Sequence, residues 1–187
     1  MDNSTEIIIR FQGPFTLLKG NDLPCILESP LKKGIYFWAV PVEDKDLIYY
    51  VGITTRAFSK RMIEHLKGYL SGEYGIYEPV ELQKGKRLPL PLGDIEDFIK
   101  RHNELYPKLL DSLKLFRVYI APVSCEKRLL ERIESAIAGY LKGHGGLAAG
   151  FQNEHVNYRV RRKDENPVVV KLECSSKRID LPPILEV

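Results

Sequence analysis

The chain has 187 residues, 44% hydrophobic and 28% charged, which suits one domain with apolar material for a core and excludes compositional disorder. No run approaches the roughly eighteen apolar residues of a membrane helix, and the opening MDNSTEIIIRF is acidic and polar where a signal peptide is basic and then apolar. A net charge of +3 identifies no partner, and the scattered Cys25, Cys125 and Cys174 form no CxxC pair or zinc-like cluster, as expected of a reduced, cytoplasmic protein without a membrane partner.

In chain order, residues 6–11 predict a short strand that Gly13-Pro14 breaks, followed by a loop holding Gly20, Asn21, Asp22 and Pro24. The β-branched and aromatic run 34–40 predicts a strand, the polar EDKD a turn, and 47–53 a second strand, most simply an antiparallel hairpin. Thr54 or Thr55 suits a helix cap, after which Phe58, Met62, Leu66 and Leu70 recur every fourth residue. A long loop from Gly72 to Gly93 contains Pro79, Pro89 and Pro91. Asp94 suits the cap of a helix carrying Ile95, Phe98, Ile99 and Leu105, interrupted at Pro107. Residues 113–121 predict a third core strand, stopped by Pro122. Residues 126–141 form the clearest helix, its stripe running from Leu129 through Ile133 and Ile137 to Leu141, and glycines 143, 145 and 146 end it. VNYRVRR (156–162) and VVVKLEC (168–174) predict late strands, and the tail beyond Asp180 is expected to fray. One α+β domain is the expectation.

Several side chains stand where chemistry is possible. Arg61 and His65 are four apart on the first helix, beside its apolar stripe, so an arginine stem can anchor on the core while the guanidinium faces a phosphate. The alternative is an ordinary surface arginine. Of the carboxylates near the last helix, Glu126 suits its start and Glu131 faces Lys127 and Arg128, whereas Glu134 borders the stripe between Leu130, Ile137 and Ala138. A carboxylate there needs a pairing cation, either a structural salt bridge or a divalent metal. Tyr36 lies on the first hairpin strand and Tyr49 and Tyr50 on the second, as core aromatics or as phenols whose pKa a nearby arginine or metal lowers. Lys84, Lys86 and Arg87 crowd one loop, and Arg159, Arg161, Arg162 and Lys163 another segment. Such clusters are solvated faces unless a site lies beside them. If 156–162 is a strand, Asn157, Arg159 and Arg161 share its polar face.

The order of these signals resembles the GIY-YIG nuclease superfamily. Gly34-Ile35-Tyr36, a turn, Tyr50-Val51-Gly52, Arg61 with His65 on the next helix, and Glu134 in ESAIAGYL follow its pattern, over roughly residues 34–157. The resemblance implies a three-stranded antiparallel core sheet flanked by helices, with residues 1–33 and 158–187 as peripheral additions to a catalytic core within one domain. It implies a divalent-metal-dependent endonuclease acting on nucleic acid, DNA being the expected polymer. Tyr36 would be the general base or its proton relay, and Tyr50 a hydrogen-bonding support. Arg61 would stabilise the developing charge with His65 beside it, and Glu134 would bind Mg²⁺ or Mn²⁺. The family's asparagine after the glutamate helix falls on Asn157 or Asn153, strand phase favouring Asn157. Lys84, Lys86, Arg87, Arg159 and Arg161 would face the nucleic acid. A homodimer would help cut both strands of a duplex. A catalytically inactive nucleic-acid-binding module on the same fold is the alternative.

Overall fold

The apolar runs of the chain become strands of one sheet, and the amphipathic runs become helices on its two faces. The computed structural model describes residues 5–19, 22–144, 146–151, 159–182 and 184–187. The strands are β1 (Thr5–Thr16), β2 (Lys32–Val42), β3 (Lys45–Ala57), β4 (Arg117–Pro122), β5 (Val168–Cys174) and β6 (Ile184–Glu186). The helices are α1 (Phe58–Leu70), α2 (Pro79–Leu82), α3 (Ile95–Lys100), α4 (His102–Leu115) and α5 (Lys127–His144). Sheet order is β3-β2-β4-β1-β5-β6. Every junction is antiparallel except β1 with β5, which is parallel. The α+β class expected from the sequence is observed, but among the described residues the sheet is mixed and has six strands.

β2 explains the arrangement. It is buried from Ile35 to Val40, which is why its sequence is a continuous apolar run. Alternation sends its side chains to two cores. Ile35, Phe37 and Ala39 pack with Leu130, Ile133, Ile137 and Leu141 of α5. Tyr36, Trp38 and Val40 pack with Phe58 and Met62 of α1 and with Leu105, Leu109 and Leu113 of α4. α1 and α5 therefore lie on opposite faces of the sheet, and both pack against its edge strand, β3.

Several predicted boundaries move, each for a local reason. β1 does not stop at Gly13-Pro14 but continues to Thr16, with a register shift against β4 between Gln12 and Phe15. Gly13 absorbs the irregularity at φ 136°, where a Cβ would lie 2.8 Å from the Val118 carbonyl. Neither Thr54 nor Thr55 caps α1, because β3 runs through them to Ala57. The first helical N–H, that of Phe58, instead donates to the Leu31 carbonyl at 3.2 Å. The expected loop 72–93 contains the single turn α2. Asp94 does cap α3, its Oδ1 accepting from the Asp97 N–H at 2.9 Å. The chain then breaks at Arg101, and α4 continues through Pro107 rather than ending there. The third core strand begins at Arg117, not 113, because Leu113 completes the buried α4 stripe Leu105–Leu109–Leu113. Of the expected strand 156–162, residues 159–162 are not extended in a sheet, and 156–158 lie outside the described residues. The tail forms β6 against β5, and Val168 and Val187 exchange both backbone hydrogen bonds. Among the described residues no helix is long and apolar enough to cross a membrane.

Candidate active site

The hairpin β2–β3 sets the geometry through two glycines and a bulge. Gly34 lies where β2 presses against β4, and a Cβ there would collide with the Ala121 carbonyl oxygen. Gly52 sits opposite Tyr36 in the ladder. A Cβ at position 52 would come within 2.5 Å of the Tyr36 hydroxyl and 2.7 Å of the Tyr50 ring, so only glycine leaves both phenols their places. Further along, Trp38 pairs with Tyr50 but Ala39 pairs with Ile48, which leaves Tyr49 as the extra residue of a bulge. Tyr49 and Tyr50 are consecutive yet both join the α1-side core, while Ile48 and Val51 join the α5 side.

Helix α1 brings its polar pair to the same place. The Tyr36 hydroxyl lies 2.8 Å from His65 Nε2 and accepts from Arg61 Nε at 3.2 Å. Arg61 Nη1 also donates to Glu64 Oε2 at 3.1 Å, which fixes the guanidinium beside the phenol. The Tyr50 ring lies 6.0 Å from that of Tyr36 and 5.7 Å from His65. Tyr36, Tyr50, Arg61 and His65 thus form one cluster.

Burial dominates its electrostatics. It pushes the Tyr36 phenol well above its ordinary value, a shift that the neighbouring Arg61 charge reduces but does not reverse. The lowered phenol expected beside an arginine is therefore not found. Tyr50 is raised by burial and then by the Glu134 carboxylate. Burial, reinforced by Arg61, depresses His65 to about 4. Burial acts to lower Arg61, but its contacts with Tyr36 and Glu64 outweigh that and hold the guanidinium charged. At neutral pH the network is a phenol, a neutral imidazole and a fixed cation. With Nε2 unprotonated, His65 accepts the Tyr36 proton while the Tyr36 oxygen accepts from Arg61.

Glu134 approaches from the other face. It is only 4% exposed on α5, and its Oε2 accepts from Arg159 Nη1 at 2.7 Å. Burial raises its pKa, and Arg159, the largest opposing influence, and Arg61 both act to lower it. Glu134 is thus electrostatically coupled to Tyr50 and Arg61. The meeting point is β3, the edge strand that α1 and α5 share. Among the described residues no three His, Cys, Asp or Glu side chains converge as a metal cluster. A divalent ion here would rest on Glu134 as its protein carboxylate, with water and phosphate oxygens as the other ligands, and it would take the place that Arg159 holds on that carboxylate.

The basic residues disperse. Lys84 pairs with Glu81 at 2.6 Å and Lys86 is exposed. Arg87 turns inward, its guanidinium carbon 4.7 Å from the Tyr49 ring centre and 5.1 Å from that of Tyr77. Arg159 engages Glu134, whereas Arg161 reaches Glu186 at 3.5 Å, so the shared polar strand face expected for them does not form. Asn153 and Asn157 lie outside the described residues. Sequence reasoning missed Tyr69, although it stands four residues after His65 on α1. It also missed Tyr74 and Tyr77, which follow α1 without periodicity. Asp46, expected in a polar turn, is a buried carboxylate bonded to the Tyr119 hydroxyl at 2.6 Å and to Arg178 Nε at 3.2 Å. Compared with protein-family models, with curated proteins and with solved structures, the chain matches none of them.

Proposed function

We propose that this chain is a divalent-metal-dependent endonuclease of the GIY-YIG kind, hydrolysing phosphodiester bonds in nucleic acid, with DNA the expected polymer. The observation that carries the proposal is the Tyr36 hydroxyl, bonded to a neutral histidine and a charged arginine beneath a glycine that leaves it room. The antiparallel set β3-β2-β4, with α1 and α5 on its two faces, supports the same reading.

The chemistry follows from the protonation states. Water attacks phosphorus, and its proton passes to the Tyr36 oxygen as Tyr36 gives its own proton to His65 Nε2. A raised phenol pKa does not obstruct such a relay, since no free phenolate has to accumulate. The bond from phosphorus to the 3′ oxygen breaks, and that oxygen leaves with the electron pair and takes a proton from solvent. Arg61 offsets the negative charge that builds on the phosphoryl oxygens. Mg²⁺ or Mn²⁺ held by Glu134 would supply Lewis-acid polarisation of the phosphate and of the leaving oxygen. Lys86 and Arg161 would hold flanking phosphates, which positions the strand without reading its sequence.

One observation favours a catalytically inactive nucleic-acid-binding module: Arg159 already engages the carboxylate that the metal requires. Nicking of supercoiled plasmid separates the two. The endonuclease nicks in Mg²⁺ or Mn²⁺ and not in EDTA, and Arg61→Ala and Glu134→Ala each lose at least about 100-fold in rate. Retained binding of duplex, branched and single-stranded substrates without cleavage of any would favour the inactive module.

A further inference from the structure

Beside the Tyr36 network opens a cavity of about 380 Å³. Six aromatic side chains line it, Trp38, Tyr49, Tyr50, Tyr69, Tyr74 and Tyr77, together with the guanidiniums of Arg61 and Arg87. Glu73 is the one acidic residue on its wall among the described residues. The cavity falls within the range of small-molecule sites, roughly 300–1,000 Å³. Its chemistry is specific in kind: flat π-faces for a planar ring, and a net positive wall for an anion.

Arg87 is the telling residue. It is held over the rings of Tyr49 and Tyr77, and its buried Nε has no hydrogen-bond partner among the described residues. A guanidinium oriented by ring faces rather than by a carboxylate keeps donors for an incoming anion. The same cavity is lined by Tyr50, Arg61 and His65, so whatever occupies it lies next to the proposed cleavage chemistry. A stacked base inside a duplex cannot enter such a pocket, whereas an unpaired one can stack on its rings.

We propose that this cavity takes one unpaired nucleotide of the substrate strand, its base against the tyrosine rings and its phosphate on Arg87, adjacent to the bond that is cut. The proposal rests on the endonuclease reading and narrows its substrate to nucleic acid with a flap, bulge or single-stranded junction.

The test uses Trp38, the chain's single tryptophan, which lines the cavity and reports its occupancy by fluorescence. Adenosine 5′-monophosphate is titrated into the full chain in EDTA. The expected result is a saturable change, with affinity lowered at least about tenfold in Arg87→Gln, which is about 1.4 kcal/mol. Gly75→Leu fills the wall without removing a lining side chain, since the atoms nearest a Cβ at position 75 are those of Tyr77, at 3.5 Å or more, and it also loses binding. A duplex with one unpaired nucleotide displaces the mononucleotide, and a fully paired duplex at the same concentration does not. No saturable change up to millimolar ligand, wild-type affinity in both variants, or equal displacement by the paired duplex would overturn the proposal. Because this assay needs neither metal nor cleavage, a protein that binds the mononucleotide but never cuts refutes the endonuclease reading alone. One that cuts but leaves the cavity empty refutes the pocket alone.

Discussion

A buried imidazole carries a measurable signature at the level of one residue. His65 is 7% exposed and held at about 4 against its ordinary 6.5. As pH falls below about 6.5 the unfolded chain takes up this proton before the folded one does, so folding loses stability through the window down to about 4. The full loss is about 3 kcal/mol by the usual conversion of a shift into free energy. Urea unfolding at pH 7 and pH 4.5 should show a larger drop for the wild type than for His65→Gln, which has no imidazole to protonate. Equal drops would mean that other groups carry the acid sensitivity. The same neutrality leaves His65 Nε2 free to accept the Tyr36 hydrogen bond at neutral pH.

Elements are tied together by polar contacts that the pattern of apolar residues does not reveal. Asp46, at the start of β3, accepts from the Tyr119 hydroxyl of β4 at 2.6 Å, from Arg178 Nε at 3.2 Å and from Arg117 Nη1 at 3.4 Å. Asp46→Ala leaves the Tyr119 hydroxyl without its nearest acceptor, while both arginines are exposed enough to reach water. The expected loss is about 1–3 kcal/mol, read as a lowered urea midpoint at unchanged slope. A midpoint equal to that of the wild type would show that the contacts form without stabilising. The two hairpin strands, α1 and α5 were legible because period-2 and period-3.6 patterns dominate there and the glycines mark close approach. The bulge at Tyr49 was not, since two adjacent tyrosines read equally well as residues on opposite faces. Nor was the passage of β3 through Thr54 and Thr55, where a carbonyl from residue 31 does what a threonine cap was expected to do.

Across the whole molecule the site is a consequence of topology. Tyr36, Arg61 and His65 belong to one face of the sheet and Glu134 to the other, and the charges couple because α1 and α5 both pack on the edge strand β3. The sequence order of the motifs pointed to Tyr36, Tyr50, Arg61 and His65, which the fold gathers, but three-dimensional placement decided their neighbours. Arg87 was read as part of a basic loop and instead packs on Tyr49 and Tyr77, and Arg159 was read as a phosphate contact and instead pairs with Glu134. β1 likewise lies between β4 and β5 within the sheet, which its position at the start of the chain does not announce. The most direct test of the account is single-turnover strand cleavage at saturating Mg²⁺ by the wild type and by Tyr36→Phe, which keeps the ring and removes only the hydroxyl bonded to His65 and Arg61. The expected rate is about 10²–10⁴-fold lower with nucleic-acid binding unchanged, and cleavage by Tyr36→Phe at the wild-type rate would contradict a proton-relay role for Tyr36.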